Sequence, residues 1–208
     1  MTPRGVFVTG TDTDIGKTLV AACLVRRWEA EYWKPAQTGL LQDAGDSRTI
    51  AWLAGADAAR IHPPRFTLQA PLSPEAAAAA EGVRISLQDF HLPATQAKLV
   101  VEGAGGLLVP LADGVLMIDL IARFGLPAVL VARGTLGTIN HTLLSVEALR
   151  RRDIPVFGVV LVGLVVPSNR EAIERHGGVR VIAEIPPLAA VNPATVAEAS
   201  AAFPAFCN

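Results

Sequence analysis

The sequence predicts a mostly parallel β-sheet with helices on both faces, and three observations point there. Short apolar runs alternate with segments of helical period along the chain. Hydrophobic residues make up 51% of the 208 residues, with alanine and β-branched types prominent, as strands buried on two sides require. Several apolar runs end directly in polar, glycine-bearing loops, and in a parallel sheet such loops gather at one edge.

The elements follow in order. Gly5 to Thr9 (GVFVT) is a strand, and a helix runs from about Gly16 to Trp28. EYWK is a brief second strand, followed by a polar connection to Asp46, which is expected to cap a helix through DSRTIAWLAG. PEAAAAAEG, from Pro74 to Gly82, is a short helix of the best helix former, ended by glycine. KLVVE (Lys98 to Glu102) is a strand that runs straight into GAGG. VLMIDLIARFG carries Leu116, Leu120, Ile121 and Phe124 on one face and stops at Gly125, a helix with its terminator. Ala128 to Ala132 is a further strand. A helix starts near Thr138, the expected N-cap, with Ile139, Leu143, Val146 and Leu149 at helical spacing. VFGVVLVG and VRVIAEI are two late strands, and PATVAEASAAF is a terminal helix. The loops after Thr9, Lys34, Glu102, Ala132 and Gly163 are expected to share the ligand edge.

The length suits one domain over residues 1–208 with a sizeable core. The longest apolar run, Val156 to Val166, is broken by glycines and falls short of the roughly 20 residues a spanning helix needs. The opening MTPRGVFVTGTDTD turns polar too soon for a secretory signal. Eighteen basic and 19 acidic side chains leave a formal charge of -1, which offers no electrostatic reason to expect nucleic acid or a membrane surface as partner. Cys23 and Cys207 are too few for a disulfide framework, and a cytoplasmic location is expected.

The chemistry starts at GTDTDIGKT, Gly10 to Thr18. A glycine-bearing turn between strand and helix exposes successive backbone N–H groups, and the helix N-terminus adds partial positive charge. Lys17 would reach the β and γ phosphates of a nucleotide, and the Thr18 hydroxyl would ligate Mg2+. Five residues separate Gly10 from Gly16, one more than the usual phosphate-loop spacing. Asp12 and Asp14 stand in this loop, where close like charge repels a triphosphate. Each is expected either to face solvent or to meet positive charge: a cationic substrate, the Mg2+ shell or the helix end.

Three further constellations follow strands. In KPAQTG, Lys34 leaves a strand at the ligand edge, placed to neutralise a phosphoryl group or an anionic nucleophile, and Thr38 adds a hydroxyl. In VEGAGG, Glu102 stands where phosphate-loop enzymes place a metal-shell carboxylate, and its glycines permit close backbone approach. Asp46 or Asp43 would complete the metal shell. In GTLGTINH, Thr138 opens a helix whose free N–H groups suit a carboxylate or phosphate. The four histidines are too scattered for metal-ligand spacing.

GTDTDIGKT, KPAQTG, VEGAGG, GTINH and AEIP, in this order, resemble the motifs of the dethiobiotin synthetase family from Phe7 to about Pro193. The resemblance implies a cytoplasmic homodimer with a P-loop NTPase-like α/β fold. It implies Mg2+ and ATP as cofactor and co-substrate, with 7,8-diaminononanoate and CO2 as substrates. One amine captures CO2 as a carbamate, the carbamate attacks the γ phosphate, and the second amine closes the ureido ring. Carried onto this chain, Asp14, Ile15, Gly16, Lys17, Thr18 and Leu19 would hold the nucleotide. Thr18, Asp46 and Glu102 would form the Mg2+ shell, and Lys17 and Lys34 would be the catalytic cations. Gly103, Ala104 and Gly105 would lie along the reacting groups, and Thr13 and Thr38 would contact substrate. Gly137, Thr138, Ile139 and Asn140 would hold the substrate carboxylate across the dimer interface.

Two departures from the family pattern stand out. Val162 occupies the place of an Asn that often reads adenine, so either backbone groups near Gly163 and Pro186 would serve the base or other triphosphates would be accepted. The connection from the first helix to YWKP is also shorter, which trims the second strand and leaves Lys34 in place. Two rivals share the phosphate loop. An amide-forming enzyme of this group should carry an additional amidotransferase domain. A partition-type ATPase switch should carry a second lysine where Thr11 and Asp12 stand.

Overall fold

The structure is a computed structural model that describes residues 4–42 and 44–206. The first half builds outward from β1 (Gly5–Gly10), whose loop leads into α1 (Lys17–Trp28). Next come β2 (Glu31–Trp33), β3 (Ala36–Gln37), α2 (Asp46–Ala54), β4 (Ile61–His62), β5 (Phe66–Thr67) and α3 (Pro74–Ala80). The long strand β6 (Leu99–Gly106) precedes the hairpin of β7 (Pro110–Ala112) and β8 (Val115–Leu116) and then α4 (Met117–Phe124). The second half repeats strand and helix: β9 (Ala128–Arg133), α5 (Thr138–Arg150), β10 (Val156–Val162), α6 (Pro167–Gly177), β11 (Val181–Ile185) and α7 (Pro193–Ser200).

Seven strands form one sheet in the order β11-β10-β9-β1-β6-β2-β4, parallel throughout. Strand alternation explains how two faces are covered at once. Val6 and Val8 of β1 join the core under α1 and α7, whereas Phe7 packs on the opposite side with Val101, Met117 and Phe124. In β9, Val129 and Val131 face the first core; Leu130 and Ala132 meet Val146 and Ile173 of α5 and α6. The centre of the sheet is therefore apolar on both sides, as the composition requires.

The expected P-loop NTPase-like architecture is present, with local differences. Asp46 does not cap α2: it is the first helical residue, after Gly45 at φ 83°, which frees its carboxylate for the ligand edge. Thr138 does not cap α5 either; Gly137 at φ 93° does, and the Thr138 side chain is buried. The strand expected to end at Glu102 runs on through GAGG as β6, because Gly106 pairs with Gly10 across the sheet. The Ala-rich helix is capped by the Ser73 hydroxyl and ends at Ala80, before Gly82 at φ 66°. Sequence analysis overlooked α6, which begins at Pro167 and buries little besides Ile173. Asp43 and Cys207 lie outside the described residues; Cys23 is buried, and burial pushes its thiol up to about 12. Among the described residues no helix is long and apolar enough to cross a membrane.

Candidate active site

The phosphate loop owes its shape to two glycines and one strained aspartate. Gly10 closes β1 against Ile15, and a Cβ on Gly10 would stand 2.5 Å from that side chain. Gly16 caps α1 in the left-handed region at φ 94°, with Val162 packed against it. Asp14 takes φ 54°, a conformation few side chains adopt. Thr11 N–H donates to Val131 O (2.9 Å), which fixes the loop to β9. Ile15 is buried and Leu19 packs on the core, so what these two offer a nucleotide is their backbone alone.

Behind the loop lies a buried polar cluster. β2 delivers Lys34 and β6 delivers Glu102, which are 4% and 1% exposed. The Lys34 ammonium lies 2.6 Å from Asp46 Oδ2 and 3.2 Å from Glu102 Oε1, and it donates to Gly103 O at 3.1 Å. The Thr18 hydroxyl stands 2.9 Å from Asp46 Oδ1 and 3.0 Å from Glu102 Oε1. It has one proton and can donate to only one of them at a time. Tyr32 Oη donates to Glu102 Oε2 (2.9 Å), and Gln37 Oε1 accepts from Asp46 N–H (2.8 Å), which pins the start of α2.

The charges settle unequally. Burial pushes the Lys34 pKa down, but Glu102 and Asp46 outweigh it and hold the ammonium above its ordinary value. Burial raises Asp46 as well; there the nearby Lys34 prevails and the carboxyl sits below its usual range. Glu102 remains above its usual range, because burial dominates and Asp46 competes for the same ammonium. Lys17 is lowered, first by burial and then by the Lys34 charge. Its ammonium donates to Asp12 O at 2.9 Å.

These groups line a cavity of about 410 Å³, and Thr13, Asp14, Thr38, Ala104 and Gly105 complete its wall. Lys17, Thr18, Lys34, Asp46 and Glu102, spread over 86 positions of sequence, are thus brought together. Val162, Gly163 and Pro186 sit beyond Gly16, at the ends of β10 and β11; Val162 touches Gly16 and Pro186 is exposed. Gly137, Thr138, Ile139 and Asn140 are not brought to this cavity. They open α5 beside a second groove, of about 480 Å³, between the phosphate-loop rim, Gly106 to Val109, and His141 and Leu144 of α5.

The acids of the loop differ in their surroundings. Asp12 Oδ2 is paired with Arg133 at the end of β9 (2.5 Å), and its Oδ1 accepts from Thr13 N–H (2.8 Å). Asp14 is exposed on the rim of the phosphate cavity. Sequence reasoning missed Arg133, Tyr32 and Gln37. For Tyr32 a signal existed: alternation along β2 places Tyr32 and Lys34 on one face.

With the geometry in hand, comparison with known proteins is specific. The family model described as an AAA domain matches residues 4–195. The biotin biosynthesis bifunctional protein BioCD of Bordetella avium is 57% identical over 91% of this chain, which spans 41% of that longer protein. The ATP-dependent dethiobiotin synthetase BioD of Paramagnetospirillum magneticum is 58% identical over 93% of both chains. That of Rhodopseudomonas palustris is 51% identical over 90% of this chain and 89% of its own. Among solved structures, a ParA family ATPase from Chlorobium tepidum superposes with a TM-score of 0.60 at 10% identity, covering 97% of this chain and 99% of that one, a likeness of fold alone. By sequence over nearly its whole length, the chain belongs to the family of the ATP-dependent dethiobiotin synthetases.

Proposed function

We propose that this protein closes the ureido ring of dethiobiotin from 7,8-diaminononanoate, CO2 and ATP. The observation that carries the reading is the convergence of two lysines, one hydroxyl and two carboxylates on one phosphate cavity. Lys17, with the backbone N–H groups from Asp14 to Leu19, would hold the triphosphate. Lys34, directed by Glu102 and Asp46 toward Gly103, would neutralise the carbamate and the γ-phosphoryl group as charge moves between them. Gly103, Ala104 and Gly105 would let the reacting groups approach the β6 backbone, while Thr13 and Thr38 would contact the diamine.

The oxygens of Thr18, Asp46 and Glu102 fit a hard divalent cation. They converge within 3.0 Å of one hydroxyl that cannot donate to both carboxylates at once. Two carboxylates and a hydroxyl leave the remaining positions to phosphate oxygens and water, the usual arrangement for Mg2+. Such a cation would supply charge neutralisation between the β and γ phosphates. Base selection would rest on the backbone at Gly163 and Pro186, since the Val162 side chain offers no hydrogen bond. A homodimer would bring Gly137 to Asn140 of one copy to the substrate of the other; the exposed Leu108 and Leu144 that line the second groove support that assembly.

Phosphate release in the presence of Mg-ATP and bicarbonate tests the reading. Release is expected to depend on 7,8-diaminononanoate and to yield dethiobiotin, with ATP, CTP and GTP compared to rank the base. Diamine-independent release without a ureido product would overturn it in favour of an ATPase switch.

The rim acids should also separate by the diamine KM. Asp14 is exposed on the rim of the cavity that would receive the diamine, so Asp14→Asn should raise that KM about threefold at low salt and less at high salt. Asp12→Asn should leave it unchanged, because Arg133 already meets the charge. Wild-type KM in both variants would remove any role for the acidic rim.

A further inference from the structure

Glu102 uses its two carboxylate oxygens differently. Oε1 faces the site, close to the Thr18 hydroxyl and the Lys34 ammonium. Oε2 points into the sheet and accepts from the Tyr32 phenol. The contact follows from register: Tyr32 pairs with Val100 across β2 and β6, and Glu102 lies two residues further along the same face. Both side chains are at most 1% exposed, so no solvent competes for the bond. The last torsion of a glutamate is broad and its two oxygens are equivalent, so the side chain by itself does not fix the plane of the carboxylate. The phenol holds one oxygen inward and so sets that plane, with the other oxygen toward the site.

We propose that Tyr32 is a positioning residue for the divalent-cation shell: by holding one Glu102 oxygen inward it orients the carboxylate so that the other is presented beside Thr18 and Asp46. The inference rests on reading Glu102 as a shell ligand. Tyr32→Phe keeps the ring and removes the donor, leaving a buried carboxylate oxygen unpartnered and free to turn. Partners of metal ligands typically contribute 10- to 100-fold in metal affinity.

The test is Mn2+ binding to the protein–ADP complex, read from the electron paramagnetic resonance signal of free Mn2+. In Tyr32→Phe the Mn2+ dissociation constant should rise about tenfold, with ADP affinity in EDTA unchanged. A role confined to packing would lower the melting temperature and leave the Mn2+ affinity of the folded protein unmoved, and that result would overturn the proposal. Should the variant fail to fold, the wild-type chain answers instead. It contains one tyrosine, so labelling with 3-fluorotyrosine yields a single 19F resonance. Mg2+ added to the ADP complex should shift that resonance; an unmoved resonance overturns the proposal. Neither measurement uses the diamine. A failed Mn2+ result therefore leaves ring closure standing, and missing diamine-dependent turnover leaves the Mn2+ result intact.

Discussion

Lys34→Met should abolish both turnover and much of the stability. On the catalytic side, the variant loses the cation that faces the transferring group, and removal of such a charge is expected to cost about 10³-fold in kcat. On the folding side, the substitution leaves Asp46 and Glu102 without their shared ammonium. Asp46 is partly exposed and can turn to water; Glu102 cannot. Breaking a buried ion pair on one side costs about 3–5 kcal/mol, and for a chain of this size that lowers the melting temperature by roughly 10 °C.

The pH dependence has a definite sign. The Glu102 pKa is already raised by burial, and without Lys34 it rises further. A carboxyl whose folded pKa exceeds its unfolded value binds more protons in the native state, so stability falls as pH rises above the ordinary carboxylate range. The deficit of Lys34→Met should therefore be smallest in acid and grow toward neutral pH. Mg2+ should raise the melting temperature of the variant more than that of the wild type. Lys34→Met combined with Glu102→Leu should recover most of the stability and none of the activity, because a packed apolar side chain replaces an unpaired charge. Equal melting curves for wild type and Lys34→Met would show that the ammonium has no structural role.

The same cluster shows where sequence reading stops. Lys17 and Thr18 were legible because strand, glycine loop and helix are contiguous, and contiguity alone aims their side chains at a phosphate. Lys34 and Glu102 were legible as strand ends on a shared edge, which parallel topology imposes. The partners that tune them were not. Tyr32 meets Glu102 only because β6 is inserted between β1 and β2, and nothing local encodes that strand order. Arg133 meets Asp12 across 121 positions for the same reason. The strand was expected to stop at Glu102, and glycine is poor in strands, yet pairing with β1 carries β6 on through GAGG. In α6 the polar sequence hid the helix, since Ile173 and Gly177 are its buried residues, although Pro167 at the first position was a fair start signal.

Lys17→Met should abolish turnover to a similar degree while leaving the fold intact. The ammonium is buried beside a second ammonium, and both burial and that neighbour lower its pKa. A lysine whose folded pKa lies below its unfolded value destabilises the native state when charged. What the side chain gains in return is a hydrogen bond to Asp12 O and the attraction of Glu102, Asp46 and Asp14, which burial and Lys34 outweigh. Methionine is unbranched and one atom shorter, and it removes the repulsion. Its melting temperature is expected at or above that of the wild type, with kcat down about 10³-fold or more through loss of the phosphate contact. A marked fall in melting temperature would mean that Lys17 is held by Glu102 and Asp46 more strongly than it is repelled by Lys34. The two lysines then make a controlled comparison at one cavity. Both carry the chemistry, but Lys34 is also the counter-ion shared by a partly exposed carboxylate and a buried one. Lys17 is a charge the fold tolerates for the sake of the phosphate it will meet.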